Sequence, residues 1–511
     1  MASRRSFLQG LAALAVSSPL AEPRAQGAAE PPADPFGLGI ASGYPGPRGV
    51  VLWTRLVGAV SASPVTVRWE VAADEGMRRV VAGGETVAEP QWAHSVHVEV
   101  DGLQPDRWYW YRFRTREAES AIGRTRTAPA PGTPAARLRF AVAACQQYEH
   151  GYYAAYRHMA ADAPDLVVFL GDYIYEATWG RELLRSHGAP EAFTLADYRA
   201  RYALYKSDPD LQAMHAACPW IVTWDDHEVV NDYAADRGSA FVEPAEFFLR
   251  RAAAYQAFYE HMPLPARMRP SRGALPLHCA LDWGTLARFC MLDDRQYRAQ
   301  HACPQPRRRG GGSTRVDVEA CPDLAAPERS LLGWPQERWL EGVLAASPAH
   351  WNVLAQQTRM AQWDQRPGSG RNAWTDGWDG YPAARRRLLE LLGEGRARNP
   401  VVLGGDIHAF HVAELKPDFD DPASAAVAAE FVTTSISSYG PSYERLQAAL
   451  PENPHVLLAD GRYRGYLRVD LVPGLWRADL RAMDHVRSRD APCRTLASYV
   501  LEDARPRPQR L

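Results

Sequence analysis

Four short segments of this sequence place polar side chains directly after an apolar run. They are residues 143–145, 171–176, 224–232 and 404–408. Together they supply a thiol, carboxylates, phenols, an amide and imidazoles, which are groups that bind metal ions in proteins. If each apolar run is a strand of a layered sheet, these residues lie at the carboxyl edge, where loops converge. The sequence therefore predicts a metal centre built from these four segments.

Each of these residues also has a plain structural interpretation. Asp172 after Gly171 could cap a turn, and Cys145 could be a small core residue. His408 could be a buried, hydrogen-bonded histidine, and Tyr175 an ordinary half-buried aromatic residue. The coincidence of four strand ends that each carry suitable donors favours the metal centre.

The apolar runs belong to a long α/β segment. From Leu138 to about residue 485, short apolar runs such as Leu166–Leu170 alternate with helix-like stretches such as Ala245–Tyr259. This alternation predicts a layered α/β core, a sandwich of β-sheets flanked by helices. We assign residues 131–490 to this domain and interpret residues 491–511 as a C-terminal tail.

A smaller all-β domain precedes this core. Residues 36 to about 130 alternate apolar and polar side chains at period two, as in Val65-Thr-Val-Arg-Trp69. Turn residues separate the runs, and the pattern predicts an immunoglobulin-like β-sandwich. We assign it residues 31–130, with the Pro-rich segment 127–136 as the linker.

The first 30 residues resemble a twin-arginine export signal, because Arg4-Arg5 precedes a short apolar run, Gly10–Val16. The run is shorter than the roughly 20 residues needed to cross a bilayer, so we expect no transmembrane anchor. This pathway carries folded proteins, which predicts a periplasmic or secreted protein recognised by the twin-arginine export machinery. The alternative is an accidental arginine pair in a disordered N-terminus.

Charge and cysteine content narrow the function further. The net charge is −2, which gives no support to nucleic acid as a stable partner. Positive potential for any anionic ligand must then be local, and metal ions can supply it. The seven cysteines are an odd number, which leaves at least one unpaired. Cys303 and Cys321 flank an Arg/Gly-rich insertion and are a candidate disulfide.

Several motifs together resemble one family, the alkaline phosphatase D family of calcineurin-like metallophosphoesterases. The matching stretches are Gly-Asp-Tyr-Ile-Tyr-Glu at 171–176, Trp-Asp-Asp-His-Glu-Val at 224–229 with Asn231, Asp-Gly-Trp-Asp-Gly-Tyr-Pro at 376–382, Gly-Gly-Asp-Ile-His at 404–408 and Ser-Ile-Ser-Ser at 435–438. The β-rich opening at 37–55 is similar to that family's N-terminal domain. The resemblance covers about residues 35 to 490.

The resemblance implies a centre of Fe³⁺ and Ca²⁺. It implies that Cys145, Asp172, Tyr175 and His408 hold iron, and that Asp172, Asn231 and Asp406 hold calcium, with Asp172 bridging. The chemistry agrees, because thiolate and phenolate are anionic donors that stabilise ferric iron, while carboxylate and amide oxygens suit calcium.

The resulting expectation is an exported, metal-dependent phosphoesterase, an alkaline phosphatase acting on phosphate mono- and diesters. A metal-bound hydroxide or oxide is the expected nucleophile, since bound water ionises more easily than free water. The expected catalytic residues are Asp172, His227, Asn231 and His408. His227 is the candidate acid or hydrogen-bond donor to the leaving oxygen.

Neighbouring charged residues have less specific roles. Asp225 and Asp226 are expected to order their loop rather than bind metal directly. Arg295 and Arg359 could each approach a phosphate group or form a structural ion pair.

Two alternatives remain at this stage. A phospholipase D-like phosphodiesterase would use the same centre, but no amphipathic basic helix suggests a membrane-seeking surface. A non-catalytic exported protein that binds phosphate or a polyanion would not need Cys145, Tyr175 and His408 together.

Overall fold

A computed structural model describes residues 34–58, 62–238, 243–305 and 312–511 of the chain. The predicted export signal, residues 1–30, lies outside these described residues.

The N-terminal part of the described chain is all β. Its strands are β1 (Ile40–Gly43), β2 (Val50–Arg55), β3 (Val65–Ala72), β4 (Val80–Ala88), β5 (Ser95–Val100), β6 (Trp108–Arg114) and β7 (Gly123–Arg126). One sheet has the order β4-β3-β6-β7, and β1, β2 and β5 lie in another. Apolar residues of both, such as Leu52, Val71 and Tyr111, share one core. This part is therefore a β-sandwich.

The rest of the described chain alternates strands and helices. The strands are β8 (Leu138–Ala143), β9 (Leu166–Phe169), β10 (Trp220–Val222), β11 (Cys279–Trp283), β12 (Ala287–Met291), β13 (Arg315–Asp317), β14 (Trp351–Ala355), β15 (Asn372–Trp374), β16 (Pro400–Gly404), β17 (Phe410–Leu415), β18 (Ala428–Val432), β19 (Val456–Asp460), β20 (Arg464–Val472), β21 (Leu475–Met483), β22 (Cys493–Glu502) and β23 (Gln509–Arg510). The helices are α1 (Ala154–Ala161), α2 (Leu195–Lys206), α3 (Pro209–Ala217), α4 (Pro244–His261), α5 (Trp334–Ala345), α6 (Pro382–Gly393) and α7 (Tyr443–Ala449).

Two large mixed sheets form the centre of this domain. In the described residues one has the order β23-β22-β21-β20-β8-β9-β10-β1-β2-β5, and the other β11-β12-β14-β16-β18-β17-β19. Their facing side chains share one core. In it the ring centroids of Phe140, from the first sheet, and Phe289, from the second, are 5.2 Å apart. Helices α5 and α6 pack on the outer face of the second sheet. The predicted layered α/β core with an N-terminal all-β domain is confirmed.

The parallel strands of both sheets position the polar segments. Strands β8, β9 and β10 are parallel neighbours, and so are β12, β14, β16 and β18. The segments after β8, β9, β10 and β16 are those singled out by sequence. Because these strands end at the carboxyl edges of two facing sheets, their loops meet.

The prediction of a C-terminal tail at residues 491–511 is wrong. Cys493–Glu502 forms β22, which pairs antiparallel with β21 along its length, and Tyr499 and Leu501 are buried. The N-terminal part is also less separate than expected, because β1 pairs with β10 through Gly43 and Trp220. Both ends of the described chain thus extend the first sheet.

The cysteines answer a further expectation. The candidate pair Cys303 and Cys321 forms a disulfide, with Cα atoms 6.1 Å apart. The remaining cysteines, Cys145 among them, carry free thiols. No helix in the described ranges has the length and apolar character of a membrane span.

Truncation tests the role of β22. A chain ending at Asp490 would lose a strand that buries Tyr499 and Leu501, each worth about 1.5–3 kcal/mol, and would expose the edge of β21. We expect it to be insoluble or to lack a cooperative unfolding transition by circular dichroism. A chain ending at Ala504 retains β22 and should unfold cooperatively, like the full chain. Equal stability of the Asp490 variant would contradict the assignment.

Candidate metal centre

Four residues at the strand ends adopt left-handed backbone conformations. Cys145, Asp172, Asp406 and His408 have φ values of 59°, 55°, 62° and 53°. Non-glycine residues adopt this region rarely, at a cost of about 1–3 kcal/mol each, and it persists mainly at functional sites. Each belongs to a polar segment predicted from the sequence to bind metal.

Backbone contacts hold the turns against one another. The amide of Cys145 donates to the carbonyl of Gly171 at 3.0 Å, and the amide of Gly405 donates to Gln357 at 2.6 Å. Gly171 has φ 106°, and a Cβ there would come within 2.4 Å of the amide nitrogen of Asp225. The loops after β9 and β10 therefore touch directly, and only glycine fits between them.

The first group of donors surrounds Asp172. The ligand atoms of Cys145, Asp172 and His408 lie within 4.8 Å of one another. The hydroxyl of Tyr175 donates to Asp172 Oδ2 at 2.7 Å and lies 3.1 Å from His408 Nε2. Ser438 Oγ lies 2.8 Å from the same hydroxyl. The structure thus brings together the thiol, carboxylate, phenol and imidazole that the resemblance assigns to iron.

A second group contains His227. The ligand atoms of His227, Asp172 and Asp226 lie within 4.8 Å of one another. His227 Nδ1 donates to Glu176 Oε2 at 2.6 Å, and the amide of Asn231 donates to Glu176 Oε1 at 3.0 Å. Burial alone would lower the pKa of His227, but Glu176, Asp172 and Asp226 raise it well above its usual range. Glu176 therefore fixes the orientation of this imidazole.

A backbone hydrogen bond to Glu176 holds Asn231 near the metal centre. In the described chain its side-chain amide makes no hydrogen bond, and the residue is half-buried. The structure places its loop beside His227, but it does not join the Asn231 side chain to Asp172 or Asp406.

A third group consists of carboxylates. The ligand atoms of Asp225, Asp226 and Asp406 lie within 4.8 Å of one another. Burial raises the pKa of Asp225 and of Asp406, and the neighbouring carboxylates raise it further. Sequence reasoning placed Asp225 and Asp226 outside direct metal contact, whereas their positions make them candidate ligands. Their place between Trp224 and His227 in the motif was the available signal.

Arg295 lies behind these carboxylates as a structural ion pair. Its guanidinium donates to Asp376 Oδ2 at 2.6 Å and to Asp225 Oδ1 at 2.5 Å, and it is fully buried. Arg298 also donates to Asp376. Burial alone would raise the pKa of Asp376, but the two arginines hold it well below its usual range. Of the two alternatives for Arg295, the structure shows the ion pair.

Glu228 joins two of the loops, a role that sequence reasoning missed. Its carboxylate accepts hydrogen bonds from the amides of Asp172, Tyr173 and Asp225 at 3.0, 2.6 and 2.8 Å. Burial and the nearby Asp172 raise its pKa to about 8. Its position after His227 offered no pattern that distinguished a loop anchor from a surface acid.

The donor sets fit metal ions. Crowded carboxylates raise one another's pKa, and a bound cation relieves that repulsion. Asp225 Oδ2 is buried without a hydrogen-bond partner among the described residues, as expected for an oxygen that is reserved for a ligand. The residues present can therefore hold metal ions.

Comparisons with known proteins agree with this geometry. The family model described as PhoD-like phosphatase matches residues 140–480, and that of its N-terminal domain matches residues 21–129. The chain belongs to the PhoD-like phosphatase family. It is 44% identical to alkaline phosphatase D of Bacillus subtilis (strain 168) over 520 aligned positions, which cover 98% of this chain and 87% of that protein.

A solved structure of PhoD has the same fold. It superposes with a TM-score of 0.88 at 43% identity, covering 94% of this chain and 93% of that one. The predicted family and the predicted class, a phosphoric ester hydrolase, are confirmed, and the alternative of a non-catalytic binding protein is not supported. The structure also contains groups suited to metal binding.

The Arg295 ion pair is testable through stability. Arg295→Met leaves Asp225 buried without its ion-pair partner and removes one of the two arginines that hold Asp376, so we expect a loss of about 3–5 kcal/mol in the free energy of unfolding by urea. The matched control is Arg398→Met, which removes an exposed pair with Asp503 and should cost less than about 1 kcal/mol. Equal losses in the two variants would contradict the structural role of Arg295.

Proposed function

We propose that this chain is an exported, metal-dependent alkaline phosphatase that hydrolyses phosphate monoesters and diesters with Fe³⁺ and Ca²⁺. The observation that carries the proposal is the convergence of thiol, carboxylate, phenol and imidazole around Asp172. A binding site for phosphate alone needs cationic or N–H donors, not this set. Family membership supports the same reaction class.

In this proposal Cys145, Asp172, Tyr175 and His408 hold iron. Asp172, Asn231 and Asp406 hold calcium, and the closeness of Asp225 and Asp226 to Asp406 supports a role for them in the same calcium region. When bound, the cations supply charge that offsets the phosphoryl oxygens and lowers the pKa of water. The left-handed turns fix the donors before substrate arrives, so little reorganisation is needed during the reaction.

His227 is suited to supply a proton to the leaving oxygen. Glu176 accepts from Nδ1, which leaves Nε2 directed away from the carboxylate, and 12% of the His227 side chain is exposed. Since both oxygens of Glu176 are engaged, by His227 and by the Asn231 amide, the imidazole has one defined orientation. A protonated Nε2 can then donate to an alkoxide as it leaves.

Export completes the proposal. The twin arginine at Arg4-Arg5 supports recognition by the twin-arginine machinery and a periplasmic or secreted location, where phosphate esters are the substrates. Export of a folded chain would allow the metals to bind first.

Hydrolysis assays test this proposal. Purified mature protein is assayed at alkaline pH on an aryl phosphomonoester, the matching diester and a phosphatidylcholine vesicle, with and without a calcium chelator. Mutation of a residue that only hydrogen-bonds to a metal ligand typically lowers metal affinity or activity by about 10–100-fold. Loss of the ligand itself in Asp172→Ala should therefore lower kcat/KM by at least about 100-fold. The matched control Asp503→Asn, on the surface, should retain activity.

The outcomes separate the alternatives. Chelator-sensitive hydrolysis of both aryl esters, lost in Asp172→Ala, is the expected result. Hydrolysis of the vesicle lipid alone would favour a phospholipase D-like enzyme instead. Full activity in Asp172→Ala would contradict the proposed centre.

A further inference from the structure

A cavity of about 180 Å³ lies beside the metal centre, across the turn at residues 406–408. Its lining includes Arg359, Trp363, Trp374, Ile407, His411 and Arg445. Ile407 stands between Asp406 and His408 in the chain, so its Cα is about 3.8 Å from each of theirs. Arg359 follows β14. Burial lowers its pKa, and the negative charge of Asp406 is one of those that act in the opposite direction. Ile407 thus belongs both to the cavity wall and to the turn that carries two of the metal-binding donors.

His411 gives the cavity an unused polar group. The residue lies on β17 and is 1% exposed, and neither of its ring nitrogens has a hydrogen-bond partner among the described residues. Buried polar atoms are nearly always paired in native proteins. Burial, with the charges of Arg359 and His455, lowers the pKa of His411 well below its usual range, so the ring is neutral. It offers one N–H donor and one acceptor to a molecule in the cavity.

Two arginines make the cavity attractive to an anion. Arg359 donates from Nε to the carbonyl of Ala361 at 3.2 Å, and its Nη2 lies 3.4 Å from Asp379. Asp379 also accepts from Arg385 at 2.5 Å, so its charge is shared between two cations. The exposed side chain of Arg445 stands at the cavity mouth and has no ion pair in the described chain.

An aromatic surface completes the lining. The ring of Trp363 meets His411 edge-on, with centroids 5.0 Å apart, and lies 5.4 Å from the guanidinium of Arg359. With Ile407 and Leu446 it forms an apolar wall of a size suited to one ring. Such a mixture of an apolar wall and a few oriented polar groups is typical of small-molecule sites.

We propose that this cavity binds the alcohol portion of the phosphate ester, and that it favours a ring-bearing alcohol with a second negative charge. The proposal rests on the proposed function, because it places the phosphoryl group at the metal centre. The ring packs on Trp363, the second anionic group meets Arg359 and Arg445, and His411 hydrogen-bonds to the same group or to a hydroxyl.

Paired substrates test the cavity. Phenyl phosphate and 4-carboxyphenyl phosphate are compared by kcat/KM in the full mature protein and in the variants Arg445→Gln and His411→Phe. Leaving-group electronics are the same for every protein, so a change in the ratio of the two values reports contacts. We expect the ratio of 4-carboxyphenyl to phenyl phosphate to fall at least fivefold in each variant. Inhibition by 4-hydroxybenzoate, the alcohol product, should weaken in parallel.

The matched control is Arg505→Gln. Arg505 lies beyond β22, near Asn399 at the opposite end of β16, and should leave both values unchanged. An unchanged ratio in Arg445→Gln and His411→Phe, with turnover retained, would overturn the cavity proposal alone. If His411→Phe does not fold, the exposed Arg445 decides the question. Absence of turnover of either substrate by the wild-type protein would overturn the proposed function and, with it, this inference.

Discussion

The balance of charge among carboxylates where the edges of the two sheets meet constrains the rest of this structure. Asp225, Asp226 and Asp406 lie close together, and burial and repulsion from neighbouring carboxylates raise their pKa. Arg295 offsets part of this charge from the protein side, 3.7 Å from both Asp226 and Asp406. Cations on the opposite side would offset the remainder. The buried arginines and the metal-binding donors are thus two halves of one electrostatic arrangement.

The backbone supports that arrangement by accepting strain. Two facing sheets contribute loops from their carboxyl edges, Cys145 and Asp172 from the first and Asp406 and His408 from the second, and all four adopt left-handed conformations. A strained residue persists only where its surroundings determine it. The Glu228 carboxylate, which binds three loop amides, and the close approach at Gly171 provide those surroundings.

Much of the fold and the centre of the site could be predicted from the sequence. The strand ends and their donors were recognisable because apolar runs of strand length preceded each polar residue. The tail prediction failed because Pro and Arg residues near the C-terminus obscured the alternating residues of β22. The partners of Arg295 and the role of Glu228 depend on contacts between distant segments, such as Arg295 with Asp225. That His411 has no hydrogen-bond partner among the described residues is likewise visible only after β17 is placed beside the loop that follows β14.

We propose that these turns create one mixed centre in which iron and calcium share Asp172 and otherwise have different donors. Its most direct test is the metal content of the purified mature protein, measured by mass spectrometry of the elements in the wild type, Cys145→Ser and Asp406→Asn. The account predicts iron and calcium in the wild type, loss of iron with retained calcium in Cys145→Ser, and loss of calcium with retained iron in Asp406→Asn. A folded wild-type protein without iron, or no change in iron in Cys145→Ser, would contradict it.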